Sequence, residues 1–339
     1  MKKLLCFLCF FAAVQQGFPA GEPVKIKLAT LAPKGTSFHQ ILLAMGEKWR
    51  KAPDGGAHLV VYTDGTMGGE ADMVRRMRVG QIQAGLLTVA GLQEIDDSVT
   101  ALQTMPMKFH SLDEVEYVRE KLRPRLEKEF LDRGFVVLFW CDAGWVRFFS
   151  KKPAQTPADL KKMKLFVWAG DNRTIDLIKA FGYRAVPLEP TDILAGLQTG
   201  LIDAGPSTPT YALAGQFYGP APNMIEVDWA PLVGGAVITK KVWDSLSPAA
   251  RDEMMKAAAE AGEAITRRSR TESQESVEAM QKRGLKVHKL TPQTEAAWRQ
   301  LAEEVNPKIR GMLVPADLFD EVQELLKQYR ASKSWTGPS

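Results

Sequence analysis

The sequence predicts an α/β chain of two lobes braced by one long helix, and three observations predict it. Short stretches that are apolar, or alternate apolar with polar, are interleaved with helical ones over residues 24–88. That is the grammar of parallel or mixed sheets covered by helices. The same grammar repeats over residues 141–229. After Pro248, as far as Gln281, the only glycine is Gly262 and no proline occurs, while Ala, Glu, Met and Arg abound. This stretch reads as a single helix of about 50 Å at 1.5 Å per residue, longer than one lobe needs.

Residues 24–31 alternate apolar and polar side chains, as a strand with one half-solvated face does. Ala32-Pro33-Lys34-Gly35 breaks that strand, and Thr36 or Ser37 caps a helix running to Arg50. A second strand covers 58–63 and closes at Asp64-Gly65. Gly68-Gly69-Glu70 opens a helix through Val79, Gly80 stops it, and 81–88 return as a strand. Residues 135–140 are an unbroken apolar run, expected of a strand buried on both faces. A helical turn at 157–160 precedes a strand over 163–168. Asp171 then caps a helix over 174–181, a strand follows Gly182, and 191–198 are helical.

Residues 79–84 and 199–204 echo each other, each a helix ending at glycine with a strand starting at once. The echo is either a common αβ turn or the trace of two related lobes. A strand over 234–239 returns to the first lobe. Another strand covers 285–290, closing helices cover 291–310 and 316–329, and a disordered tail is expected over 332–339. The expected division is 24–140 with 230–246 for lobe I and 141–229 for lobe II. Residues 247–330, the long helix and C-terminal elements, pack on both.

Residues 1–20 read as a secretory signal, with Lys2 and Lys3, an apolar run over 4–14, and a polar break ending at Pro19-Ala20. The run is shorter than the roughly 20 residues that span a bilayer. Phe18 stands where a small residue is usual before cleavage, and neither Cys6 nor Cys9 has the small residue that lipidation needs. Removing the signal leaves Cys141 as the only cysteine, so no internal disulfide is expected. After Phe139-Trp140, that cysteine reads as a small buried hydrophobe. The net charge is +4, with bases scattered among acids, which argues against a nucleic-acid partner. No second apolar segment reaches membrane-spanning length, so the exported chain is expected to be soluble.

The four histidines, His39, His58, His110 and His288, are not spaced as a helical metal pair. No Cys/His cluster, Gly-x-Ser-x-Gly elbow or phosphate-binding loop occurs, so no enzyme, metal or cofactor is expected. Aromatic side chains do gather near predicted strand ends and loops, among them Trp140, Trp145, Phe148, Phe149, Phe166, Trp168, Tyr211, Phe217, Tyr218 and Trp229. Open α/β sheets bind ligands at the carboxyl ends of their strands, in clefts with apolar walls and a few polar groups. Lobe core is the competing use for each ring. Trp168 is the best placed, because it ends a strand directly before Ala169-Gly170-Asp171.

An ordered set of motifs covers most of the exported chain. It begins with Ala29-Thr30-Leu31-Ala32-Pro33-Lys34-Gly35-Thr36-Ser37-Phe38-His39, Gly65-Thr66-Met67-Gly68-Gly69-Glu70 and Arg78-Val79-Gly80-Gln81-Ile82. It continues with Lys164-Leu165-Phe166-Val167-Trp168-Ala169-Gly170-Asp171, Gly182 with Pro187-Leu188, Leu197-Gln198-Thr199-Gly200-Leu201-Ile202-Asp203, Pro209 and the long helix. In this order the motifs resemble the periplasmic receptors of TRAP (tripartite ATP-independent periplasmic) transporters. The resemblance implies a two-lobe periplasmic binding protein fold with the long helix bridging both lobes. It also implies a non-enzymatic receptor that closes on a small-molecule ligand and delivers it to membrane permease subunits.

In most such receptors a Gly-Leu-Lys-hydrophobic run precedes an arginine that clamps a substrate carboxylate. Here the run is Lys162-Met163-Lys164-Leu165, and Phe166 takes the arginine's place. The form Leu-Phe-Val-Trp-Ala-Gly-Asp resembles a subgroup that lacks the clamp, carries hydrophobic ligands and in part travels with a periplasmic tetratricopeptide-repeat protein. Arg147 matches a second arginine that often contacts substrate, and Thr208 stands near the family's polar contact on the loop after that strand. The expected ligand contacts are Thr36, Phe38, Arg147, Phe166, Trp168, Leu188, Thr208, Tyr211 and Trp229.

An arginine offers a carboxylate planar bidentate donors, and Phe offers none. Enclosing a carboxylate without paired donors costs several kcal/mol, so Phe166 shifts the expectation to a hydrophobic or amphipathic ligand. Three alternatives stay open at this point: a carboxylate held by Arg147, a periplasmic enzyme, or a structural adaptor without an enclosed cavity.

Overall fold

The computed structural model describes residues 23–334, so the predicted signal over 1–20 lies outside the described residues. The described residues form nine strands: β1 (Val24–Thr30), β2 (Ala57–Tyr62), β3 (Ala84–Thr88), β4 (Phe135–Ser150), β5 (Lys164–Trp168), β6 (Arg184–Leu188), β7 (Ala204–Ser207), β8 (Asn223–Thr239) and β9 (Lys286–Lys289). The helices are α1 (Ser37–Arg50), α2 (Glu70–Arg78), α3 (Val89–Leu92), α4 (Leu112–Asp132), α5 (Pro157–Lys161), α6 (Asn172–Ala180), α7 (Ile193–Thr199), α8 (Pro209–Ala214), α9 (Lys240–Asp244), α10 (Pro248–Gln281), α11 (Pro292–Ile309) and α12 (Ala316–Ser334).

The strands form one sheet in the order β2-β1-β3-β8-β4-β7-β5-β6, with β9 beside β8. The β2-β1-β3 and β7-β5-β6 groups are internally parallel, while β8 and β4 join them antiparallel. The α/β expectation holds, but two strands are far longer than the sequence reading made them. The run at 135–140 continues to Ser150, and the strand expected at 234–239 begins at Asn223. These two strands pair along their lengths and carry the sheet from one lobe into the other. Gly144 and Pro231 fall inside these long strands. Pairing absorbs them as irregularities, with register shifts between Asp142 and Trp145 and between Val146 and Phe148. Gly144 takes φ +82, a left-handed conformation that glycine adopts without penalty.

The helix α4 has no counterpart in the sequence reading. Its charges and internal Pro124 hide the stripe Val115, Val118, Leu122, Leu126 and Phe130, all buried. The C-terminal helix runs to Ser334, so the expected disorder from 332 gives way to helix there, and 335–339 lie outside the described residues. β3 starts at Ala84 rather than at 81, after a turn at Gly80.

The long helix α10 has the expected bounds and packs against α1, β4 and α8. Trp49 Nε1 donates to the Met254 carbonyl at 3.0 Å on one side, and Ser276 meets Thr210 at 3.5 Å on the other. Between them, Ser269 Oγ donates to the Asp142 carbonyl at 2.8 Å, where β4 is irregular. Gly262 is required at the crossing with β4, because a Cβ there would lie 2.7 Å from Phe139 Cβ.

Candidate functional site

A cavity of about 440 Å³ lies between the two groups of strands, within the range of small-molecule sites. One wall comes from the end of β1, the start of α1, and β3, with Thr30, Leu31, Phe38 and Thr88. The facing wall comes from β5, β7 and α8, with Phe166, Trp168, Ser207, Thr208 and Tyr211. Val146, Phe148, Trp229 and Val233 of the crossing strands form the floor, and Trp298, Leu301, Val305 and Ile309 of α11 close the back.

Seven of the expected contacts line this cavity: Thr36, Phe38, Phe166, Trp168, Thr208, Tyr211 and Trp229. Phe166 and Trp168 are two residues apart on β5 and share a face, with ring centroids 6.4 Å apart. Phe166 is also core: it is 3 % exposed and packs with Phe149, Ile202 and Met280. The approach of β7 to its Cβ requires Gly205, whose own Cβ would lie 3.0 Å away. Trp229 meets Trp298 edge-on at 5.5 Å and Phe148 at 6.1 Å. Thr36 precedes α1, but its hydroxyl donates to the Pro33 carbonyl at 2.7 Å rather than capping the helix. Thr208 caps α8 by accepting from the Tyr211 amide at 3.4 Å.

Two expected contacts, Arg147 and Leu188, are not among the residues that line the cavity. Along β4 the neighbours Val146 and Phe148 line it, and strand alternation turns Arg147 to the opposite face. There its guanidinium is 3.3 Å from Glu226 and 3.3 Å from Asp228, and the side chain is 14 % exposed. Burial raises the Asp228 carboxyl pKa, and the charge of Arg147 works against that rise. Leu188 packs into the Phe149–Phe166 cluster, against the helix that carries Gly196.

The sequence reading missed Glu70. It opens α2, is 2 % exposed, and is among the residues that line the cavity. Its Oε1 accepts from the Thr88 amide at 2.8 Å, and its Oε2 accepts from the Thr88 hydroxyl at 2.6 Å. Burial raises its pKa to about 7; hydrogen bonds from Thr88 and Gly91 oppose the rise, and the charge of Glu189 adds to it. Glycines are the signal that was available. A Cβ on Gly91 would lie 2.7 Å from Glu70 Cβ, and one on Gly69 would lie 2.3 Å from Glu189 Oε2.

Among the described residues, no lysine, arginine or histidine lines the cavity, and its carboxyl groups are those of Glu70 and Asp171. Asp171 is engaged by the Thr174 amide at 3.0 Å, capping α6. Burial raises the Tyr211 phenol to about 12, with Glu70 and Asp64 adding, so it stays neutral. Cys141 is a buried thiol pushed up to about 12, an apolar wall group and no nucleophile.

Two strand groups joined by long crossing strands, a cavity at the junction and one helix bracing both sides define a two-lobed solute receptor. The chain belongs to bacterial extracellular solute-binding protein family 7, which it matches over residues 28–310. It is 25 % identical over 283 residues to the 2,3-diketo-L-gulonate-binding periplasmic protein of Escherichia coli, covering 80 % of this chain and 83 % of that one. A TRAP periplasmic solute-binding protein from Shewanella oneidensis, solved with bound succinate, superposes with a TM-score of 0.82 at 19 % identity over 90 % of this chain and 99 % of that one. A Bordetella pertussis extracytoplasmic solute receptor binding pyroglutamic acid gives a TM-score of 0.81 at 19 % identity, covering 91 % and 99 %. The expected fold is therefore shown, and the family is one of periplasmic substrate-binding receptors.

Proposed function

We propose that this chain captures a hydrophobic or amphipathic small molecule between its lobes and delivers it to the permease of a TRAP-type importer. The observation that carries the reading is the absence of any lysine, arginine or histidine from the cavity lining, together with Phe166 and Trp168 in its wall. A carboxylate enclosed there would meet no cation, at a cost of several kcal/mol. Burying apolar ligand surface gains about 25 cal/mol per Å².

The ligands named for the relatives are organic acids, which favours a second reading in which Arg147 receives a carboxylate. That reading requires Arg147 to leave Glu226 and Asp228 and turn to the other face of β4. The ligand contacts of the proposal are the seven cavity-lining residues above. Its lobes are 24–140 with 230–246 and 141–229, moving about the irregular stretches of β4 and β8, and its export signal is 1–20. A tetratricopeptide-repeat partner rests on the 165–171 run alone. Native mass spectrometry and solvent extraction of protein purified without added ligand test the proposal. A bound apolar or amphipathic compound is expected; a small polar acid in its place would overturn it.

A further inference from the structure

The cavity is apolar along most of its length but not uniformly so. Its polar hydroxyls are largely committed locally: Thr36 donates to the Pro33 carbonyl, and Thr208 accepts from the Tyr211 amide. Glu70 differs. It is a carboxylic acid among the lining residues, and burial has removed it from bulk water. An ionised carboxylate has about four acceptor positions. The Thr88 amide, the Thr88 hydroxyl and the Gly91 amide occupy three of them.

The surroundings of Glu70 are acidic. Glu189 approaches across the Gly69 backbone, and the charges of Asp72 and Asp192 add to the rise of its pKa. The charge of Asp64 adds to the rise of the Tyr211 pKa. Arg75 acts against the rise of the Glu189 pKa, and it is paired with Asp72. A carboxylate or phosphate brought to Glu70 would meet an acceptor and negative charge. A hydroxyl or ammonium group would meet a buried acceptor that strengthens in a low-dielectric site.

We infer that Glu70, held by Thr88, is the specificity determinant for the ligand's polar end, and that this end is a non-anionic hydrogen-bond donor, a hydroxyl or an amine, on an apolar body. The inference rests on the proposed apolar-ligand reading and narrows it. Thr88 acts as a positioning residue: its amide and hydroxyl fix both carboxylate oxygens, so the remaining acceptor direction is set before a ligand arrives.

Three probes with one apolar body test the inference: decan-1-ol, decylamine and decanoate, each titrated below its micelle concentration at about pH 8, where decanoate is ionised and decylamine charged. Tryptophan fluorescence gives the readout, because Trp168 and Trp229 line the cavity. The alcohol and the amine should each bind at least about tenfold more tightly than decanoate. Glu70→Gln should weaken the amine by about tenfold or more while leaving decanoate unchanged or improved. The wild-type series decides the question even if the variant folds poorly. Decanoate binding as tightly as the other two would overturn the inference and leave the apolar reading standing. Binding of succinate with no binding of any decyl probe would overturn both.

Discussion

Phe166 and Trp168 share one face of β5, ring centroids 6.4 Å apart and tilted by 50°, and both line the cavity while Phe166 is also lobe core. The double duty means that removing Phe166 should show in two measurements. Phe166→Ala should weaken an apolar ligand by about 1–3 kcal/mol, the scale of one buried aromatic contact. It should also cost the empty protein about 3–5 kcal/mol, lowering its melting temperature by several degrees. Calorimetric titration and thermal melts on one variant separate the effects. Loss of stability with affinity of the folded protein unchanged would make Phe166 core alone.

Phe166→Arg should abolish apolar binding, because it places a cation in a wall that holds none. The same variant should gain measurable affinity for small carboxylates, detectable by titration with succinate. A variant that still binds the apolar probe as wild type does would remove Phe166 from the site.

Arg147→Ala should leave the affinity of an apolar probe within about twofold of wild type while lowering stability by about 1–3 kcal/mol. The loss comes from leaving Glu226 and Asp228 without their shared cation. If Arg147 instead receives a ligand carboxylate, the same change would abolish binding while stability moved little.

The raised pKa of Glu70 makes a signed prediction. Its carboxyl titrates near 7 in the folded chain against an ordinary 4.5. The folded state therefore holds this proton more tightly than the unfolded one, and stability present below the ordinary value is lost as pH rises to about 7. The loss is on the order of 3 kcal/mol. Melting curves between those limits should show the wild type falling relative to Glu70→Gln. Parallel curves would place Glu70 in a wetter setting than the structure gives it.

Arg173, in the first turn of α6, reaches to the residues after α3, with its guanidinium 3.0 and 3.2 Å from the two carboxylate oxygens of Asp97. Both side chains are half-exposed, so the pair contributes up to about 1 kcal/mol. Arg173→Glu replaces attraction with repulsion and should favour an open form. Small-angle scattering should show a larger radius of gyration without ligand, and binding should weaken about three- to tenfold. An unchanged radius and affinity would mean that this contact does not hold the lobes together.

Most of the secondary structure was legible because it is local: α1, α2, α10 and β5 follow from period, caps and glycine stops. What the sequence hid was tertiary. Gly144 and Pro231 look like breaks until β4 and β8 pair, since the register that absorbs them is set by the partner strand. Arg147 was assigned to the site by resemblance, but the face of a strand is decided by a one-residue alternation that irregular pairing shifts. In the sequence Glu70 shows only as an acid opening a helix, a common place for one. Only the fold brings Thr88 and Gly91 onto its carboxyl.

On the proposed function, the interlobe cavity takes an apolar body and excludes small acids. Titrating the ligand-free wild-type protein with the neutral fluorophore N-phenyl-1-naphthylamine, then challenging the complex with succinate and glucuronate, tests it most directly. Saturable one-to-one binding that neither acid displaces at about millimolar concentration is the predicted result. Displacement by either acid at about micromolar concentration, or no saturable uptake of the fluorophore, would contradict it.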